Sequence, residues 1–148
     1  MKLEDAENLA LTLMEDNGVG NTWSFRFDNA KRRCGACHHG KRMITMSRHF
    51  VTLNSEADVR DVILHEIAHV LAGPMASHGP QWQIWALRLG ARPERCQSDV
   101  AMPEGGVRGF CTVNCTTHHT RHRMPPRRLA DLYLCNRCGA PVTWVRVK

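Results

Sequence analysis

His65-Glu66-Ile67-Ala68-His69 is an HExxH run, and Val59, Val62, Ile63, Ile67, Val70 and Leu71 surround it at the three- and four-residue spacing of a helix. Residues four apart share a helix face, so both imidazoles can reach one metal ion, while Glu66, beside the first, can reach a water that the metal activates. Within an apolar segment these polar groups need partners, and zinc suits a pair of imidazoles. Zinc makes water acidic enough for a carboxylate to take its proton during attack on a carbonyl, which is the chemistry of peptide hydrolysis. The run therefore predicts a catalytic helix with His65 and His69 as ligands and Glu66 as general base.

The ends of that helix are marked. Asn54-Ser55-Glu56-Ala57-Asp58 carries a serine with an acid three residues on, the pattern of a capping box, and predicts a helix from about Glu56 to Ala72 that Gly73-Pro74 stops. Gly79-Pro80 opens a second helix, with proline suited to its first turn. It carries Trp82, Trp85, Ala86 and Leu89 and closes at Gly90. A catalytic zinc with one position open to water needs a third protein ligand. His78, nine residues after His69 and across the Gly-Pro break, is the candidate; capping the second helix is its alternative role. The metzincin spacing would place the third histidine at position 75, which is Met75. Trp82 and Trp85 read as packing residues, with Trp82 close enough to His78 to shape the site.

Upstream, Leu3, Ala6, Ala10, Leu13 and Met14 predict a packing helix ended by Gly18 and Gly20. Trp23, Phe25 and Phe27 alternate with polar residues, and Met43-Ile44-Thr45-Met46 follows the Gly40 turn, so two strands in a small antiparallel sheet are expected. After Arg92-Pro93 the texture loosens through Pro103, Gly105, Gly106 and Gly109. The boundary is placed near Gly106, dividing the 148 residues into a catalytic domain, 1–106, and a small module, 107–148.

Seven cysteines, an odd number, include the pairs Cys34/Cys37 and Cys135/Cys138 at Cys-x-x-Cys spacing, which in a reducing compartment reads as metal binding; no structural disulfide is expected. Cys111 and Cys115 with Cys135 and Cys138 make a four-thiolate structural zinc site, and replacement of Cys111 or Cys115 by His118, His119 or His122 stays open. Cys34 and Cys37 lack a second pair and are left outside the sites, and Cys96 stands alone.

The net charge of +6 is concentrated in two clusters, Lys31, Arg32, Arg33, Lys41, Arg42 and Arg48, and Arg121, Arg123, Arg127 and Arg128. Basic clusters favour a polyanion partner, and the second, with Trp144 in the same module as a stacking face, suits single-stranded nucleic acid, preferentially single-stranded DNA. The start, Met1-Lys2-Leu3-Glu4-Asp5, lacks the build of a secretory signal, and no apolar run reaches the roughly 18 residues that span a bilayer. A soluble, cytoplasmic monomer, free to associate with the nucleoid and making no membrane contact, is expected.

His65-Glu66-Ile67-Ala68-His69 followed by His78-Gly79-Pro80-x-Trp82 resembles the SprT-like zinc metalloprotease family, whose HExxH precedes a His-Gly-Pro-x-Trp or Phe element. Arg33 to Ser47, with Cys37 and Ile44-Thr45-Met46-Ser47, is similar to the segment before that family's catalytic helix, and Tyr133-x-Cys135-x-x-Cys138-Gly139 is similar to the end of its zinc-ribbon tail. The resemblance implies an α+β, zincin-like metalloprotease domain with a C-terminal zinc-ribbon-like module. It also implies His65, His69 and His78 as ligands of a catalytic zinc and Glu66 as catalytic glutamate. The family includes Spartan-type proteases that degrade proteins crosslinked to DNA, so DNA-associated proteins are the implied substrates. Two readings stand beside this one: a non-catalytic zinc-containing DNA-binding adaptor, and a metallopeptidase unrelated to DNA. Glu66 favours catalysis over the adaptor, since a structural zinc needs no acid beside its first ligand.

Overall fold

A computed structural model describes residues 1–94, 99–113 and 118–147; Cys96 and Cys115 lie outside the described residues, as does the side chain of His118. The chain divides into two compact units, Met1–Pro103 and Glu104–Lys148.

The first unit opens with α1 (Leu3–Asp16), which buries Ala6, Ala10, Leu13 and Met14 along one face, as their spacing predicts. Three strands follow, β1 (Ser24–Asp28), β2 (Gly35–His38) and β3 (Met43–Ser47), in the order β1-β3-β2. β3 is the central strand, with Ile44, Thr45, Met46 and Ser47 all buried. The sheet is mixed, not antiparallel as the sequence predicts. β2 pairs antiparallel with β3, but β1 pairs parallel with it, Phe25 opposite Ile44 and Phe27 opposite Met46. The reason is the strand the sequence does not announce. With β2 lying between them along the chain and forming the hairpin with β3, residues 29–42 act as a crossover, and a crossover returns the chain in its original direction.

The chain then runs through the short α2 (Arg48–Leu53) into α3 (Glu56–Ala72) and α4 (Pro80–Leu89). α3 starts where the sequence places it, because the Ser55 hydroxyl accepts from the Asp58 amide while the Asp58 carboxylate accepts from the Ser55 amide. Pro80 sits in the first turn of α4, and Gly90 ends that helix in the left-handed region (φ 78°), a conformation glycine adopts without Cβ strain. α3 is packed by α1, α4 and β2, so it is buried on most sides. Trp82, Phe50, Met14, Ile44, Met46, Ile63 and Ile67 are fully buried, each contributing ~1.5–3 kcal/mol relative to exposure.

The second unit is a three-stranded antiparallel sheet in the order β5 (His118–Arg121), β4 (Val107–Cys111), β6 (Val142–Arg146), with the single-turn helix α5 (Arg127–Ala130). Among the described residues its buried cluster is small: Cys111, Cys135 and Val142, with Tyr133, Ala140 and Trp144 packed against it. Among the described residues, no helix is long and apolar enough to cross a membrane.

Candidate active site

His65 and His69 project from one face of α3, one turn apart, and the turn from Gly73 to Gly79 brings His78 back to them. Ser77, immediately before His78, takes left-handed backbone (φ 46°), uncommon outside glycine, as the chain reverses. The Nε2 atoms of His65 and His78, and of His69 and His78, are each 3.1 Å apart. Three ligands at ~2.0–2.1 Å in a tetrahedral arrangement have nitrogens ~3.3 Å apart. Two sides of the triangle are thus close to the spacing that zinc ligands take, the third pair lies within 4.8 Å, and the donors are of a type that zinc binds.

Trp82 forms the floor of this group. Its ring lies 4.7 Å from that of His65 and 4.6 Å from that of His78, stacks on His69 at 5.3 Å, and its indole N–H donates to the His65 carbonyl. Burial holds both helical imidazoles neutral, taking His65 and His69 down to about 4, with the neighbouring imidazoles adding to the effect. Neutral imidazole is the form that binds metal.

Glu66 is 6% exposed, and burial pushes its carboxyl up to about 8 against the opposing influence of Arg33 and the Cys37 amide. β2 passes so close that a Cβ on Gly35 would stand 2.8 Å from a Glu66 carboxylate oxygen and 3.1 Å from Val62, so only glycine fits. Cys37, on the same strand, has its thiol pushed up to about 12 by burial and the Glu66 charge, and its sulfur lies 3.5 Å from Nε2 of His39. A low-pKa nucleophile is therefore not what this cysteine supplies.

These groups line a cleft of about 520 Å³, together with Arg32, Arg33, Ser77, Val100 and Met102. Arg33 is paired with Asp28 at 2.6 Å. The sequence singles out the three histidines and Glu66, and the fold brings them together. It leaves Cys34 and Cys37 outside any site, yet both line the cleft because β2 forms one of its walls.

In the second unit, the sulfurs of Cys111, Cys135 and Cys138 lie within 4.8 Å of one another, Cys111 and Cys138 at 3.4 Å. The amides of Arg137 and Cys138 point at the Cys135 sulfur and hold its thiol below the ordinary value, towards the thiolate that metals bind. Cys115, the fourth expected ligand, is outside the described residues. Arg121 stacks its guanidinium over Tyr133 (4.7 Å) and Trp144 (5.7 Å), which meet edge-on at 5.4 Å. These side chains line a pocket in which the Trp144 indole nitrogen and His119 Nε2 are buried with no hydrogen-bond partner among the described residues. Arg123, Arg127 and Arg128 are exposed and do not line it.

The SprT-like family model matches residues 4–102. Protein SprT of Pseudomonas aeruginosa is 26% identical over 133 residues, spanning 83% of this chain and 79% of that protein. Protein SprT of Pseudomonas savastanoi pv. phaseolicola is 24% identical over 124 residues, spanning 76% of this chain and 74% of the relative. No solved structure matches the chain. With the family model covering two thirds of its length, and the histidine triangle and buried glutamate inside the matched span, the chain belongs to the SprT-like family.

Proposed function

We propose that this chain is a zinc-dependent endopeptidase acting on protein substrates associated with or crosslinked to DNA. The observation that carries the reading is the convergence of three imidazoles on one point beside a buried carboxylate, in an open cleft large enough for a peptide segment. His65, His69 and His78 would hold the zinc, which supplies an acidified water and polarises the scissile carbonyl.

The remaining steps belong to the chain itself. Glu66, kept out of bulk water next to the first of the three imidazoles, is placed to act as general base. Its carboxylate takes the proton of the attacking water and delivers it to the amine nitrogen of the departing peptide. Gly35 lets the wall of the cleft close on the carboxylate without displacing it. Trp82 fixes the planes of the imidazoles from below.

Cys111, Cys135 and Cys138, with Cys115 as fourth ligand, would hold a structural zinc in the second unit. Single-stranded DNA is the proposed partner of that unit. Arg121 over Tyr133 and Trp144 offers charge and stacking together, and Arg123, Arg127 and Arg128 add charge for phosphates. The protein is proposed to act as a cytoplasmic monomer.

The test is digestion of a DNA-bound basic protein by the zinc-loaded chain, with and without single-stranded DNA, beside Glu66→Gln. Cleavage stimulated by DNA and reduced roughly 10²–10⁴-fold in the variant, with zinc content unchanged, is expected. Undiminished cleavage by Glu66→Gln would overturn the role of Glu66. No cleavage by the zinc-replete wild type would favour the adaptor reading, and cleavage indifferent to DNA would favour a peptidase unrelated to it.

A further inference from the structure

Exposure alternates in the segment from Asp99 to Met102, which bends at Asp99 and Val100: Asp99 and Ala101 are exposed, and Val100 and Met102 are half-buried. Val100 and Met102 line the same cleft as His65, Glu66 and His69 while packing on the core of the first unit. The segment is fastened on its outer side. The Asn54 side chain grips Ala101 as a neighbouring strand would, donating to its carbonyl at 2.7 Å and accepting from its amide at 2.7 Å. Asn54 also donates to the Phe50 carbonyl, which ties the grip to α2. Asp99 pairs with Arg92, whose amide and side chain both donate to Asp61, one turn before His65 on α3. Asp99 is 64% exposed, so its pair adds little, whereas Asp61 is 15% exposed and holds Arg92 from two directions. The strap is thereby registered to the helix that carries the histidines.

We infer that Val100 and Met102 form an apolar subsite that selects a substrate with an apolar side chain beside the scissile bond. The inference rests on the proposed peptidase reading and gives it a substrate preference. Val100 and Met102 are only half-buried, so while packing on the core each leaves apolar surface in the cleft that a bound side chain would cover. Methionine is unbranched and adaptable, so the subsite should accept leucine, methionine and phenylalanine more evenly than a rigid pocket would. Val100 and Met102 act on binding; the reacting atoms belong to the histidines and Glu66.

Binding tests this without turnover. Fluorescein-labelled decapeptides, alike except for a central Leu or Gln, are titrated into the zinc-loaded Glu66→Gln protein by anisotropy, and then into the same protein carrying Met102→Gln or Val100→Thr. The Leu peptide is expected to bind about ten-fold more tightly, and that ratio to fall to about two-fold or less in either strap variant. The two variants report independently, so misfolding of one leaves the other to decide. Equal binding of both peptides, or a Leu preference that survives both variants, would overturn the inference. The wild type is assayed for cleavage in parallel. A Leu preference in binding with no turnover would sink the peptidase reading and leave the subsite standing; turnover with a preference untouched by the strap variants would do the reverse.

Discussion

The two candidate metal centres are built in opposite ways. In the first unit the histidine triangle, two members on α3 and His78 in the turn before α4, is held by helices that already share a large core, from Ala6 and Met14 on α1 through Ile63 and Ile67 on α3 to Trp82 and Ala86 on α4. The scaffold makes the site. In the second unit the buried cluster consists of Cys111, Cys135 and Val142, two of which are the sulfur donors themselves. Among the described residues such a cluster buries little apolar surface against the cost of chain entropy, so there a bound metal would make the scaffold. On the proposed reading, a metal would be chemistry in one unit and architecture in the other.

The largest effect expected from that contrast is on zinc removal. Chelation, or Cys135→Ser, should abolish the β4–β5–β6 sheet altogether while the first unit keeps its helical circular dichroism and its own melting transition. Amide exchange read unit by unit checks this, and a metal-free second unit that stays protected would break the comparison.

Next in size is Trp82→Ala. Removing a fully buried indole from beneath three imidazoles should cost about 3–5 kcal/mol in denaturant unfolding of the first unit and weaken its zinc affinity as well. A stability loss with zinc affinity unchanged would mean that Trp82 is packing alone.

The smallest expected effect concerns pH in the metal-free protein. His65 and His69 have folded values near 4, below the ordinary 6.5, so their contribution is complete above pH 6.5 and is lost as pH falls towards 4. Glu66 is the reverse case. Its folded value near 8 lies above the ordinary 4.5, so its contribution is present below 4.5 and is lost as pH rises through 8. The two oppose each other between 4.5 and 6.5. From 6.5 to 8 only Glu66 acts, and the metal-free first unit should lose ~1–2 kcal/mol, a loss that Glu66→Gln removes. Thermal melts of both proteins across that range measure it.

What could be read from the chain alone was what local chemistry dictates. Ser55 with Asp58 marks the start of α3, Gly-Pro pairs mark its end and the start of α4, and the four-residue spacing of His65 and His69 sets them on one face. β2 was hidden because Gly35, Ala36, Cys37 and His38 are all half-buried and show no alternation, and missing β2 made the parallel pairing of β1 with β3 invisible. α2, only six residues long, is too short to display a helical period. The strap escaped notice for another reason: its fastenings join residues far apart along the chain, Asn54 to Ala101 and Asp61 to Arg92.

Gly35 has one more consequence, for how such a cleft can diversify. Because the Glu66 carboxylate occupies the space where any side chain at position 35 would have to go, that position offers no room for novelty; even a methyl group there competes with the base. The strap has no such conflict. Its inward residues share the cleft with Glu66 while its fastenings run through a backbone amide and carbonyl and an outward carboxylate, so residues 100 and 102 can be exchanged without rewriting the anchorage. A lineage seeking a new preference would find position 35 closed to it and the strap open.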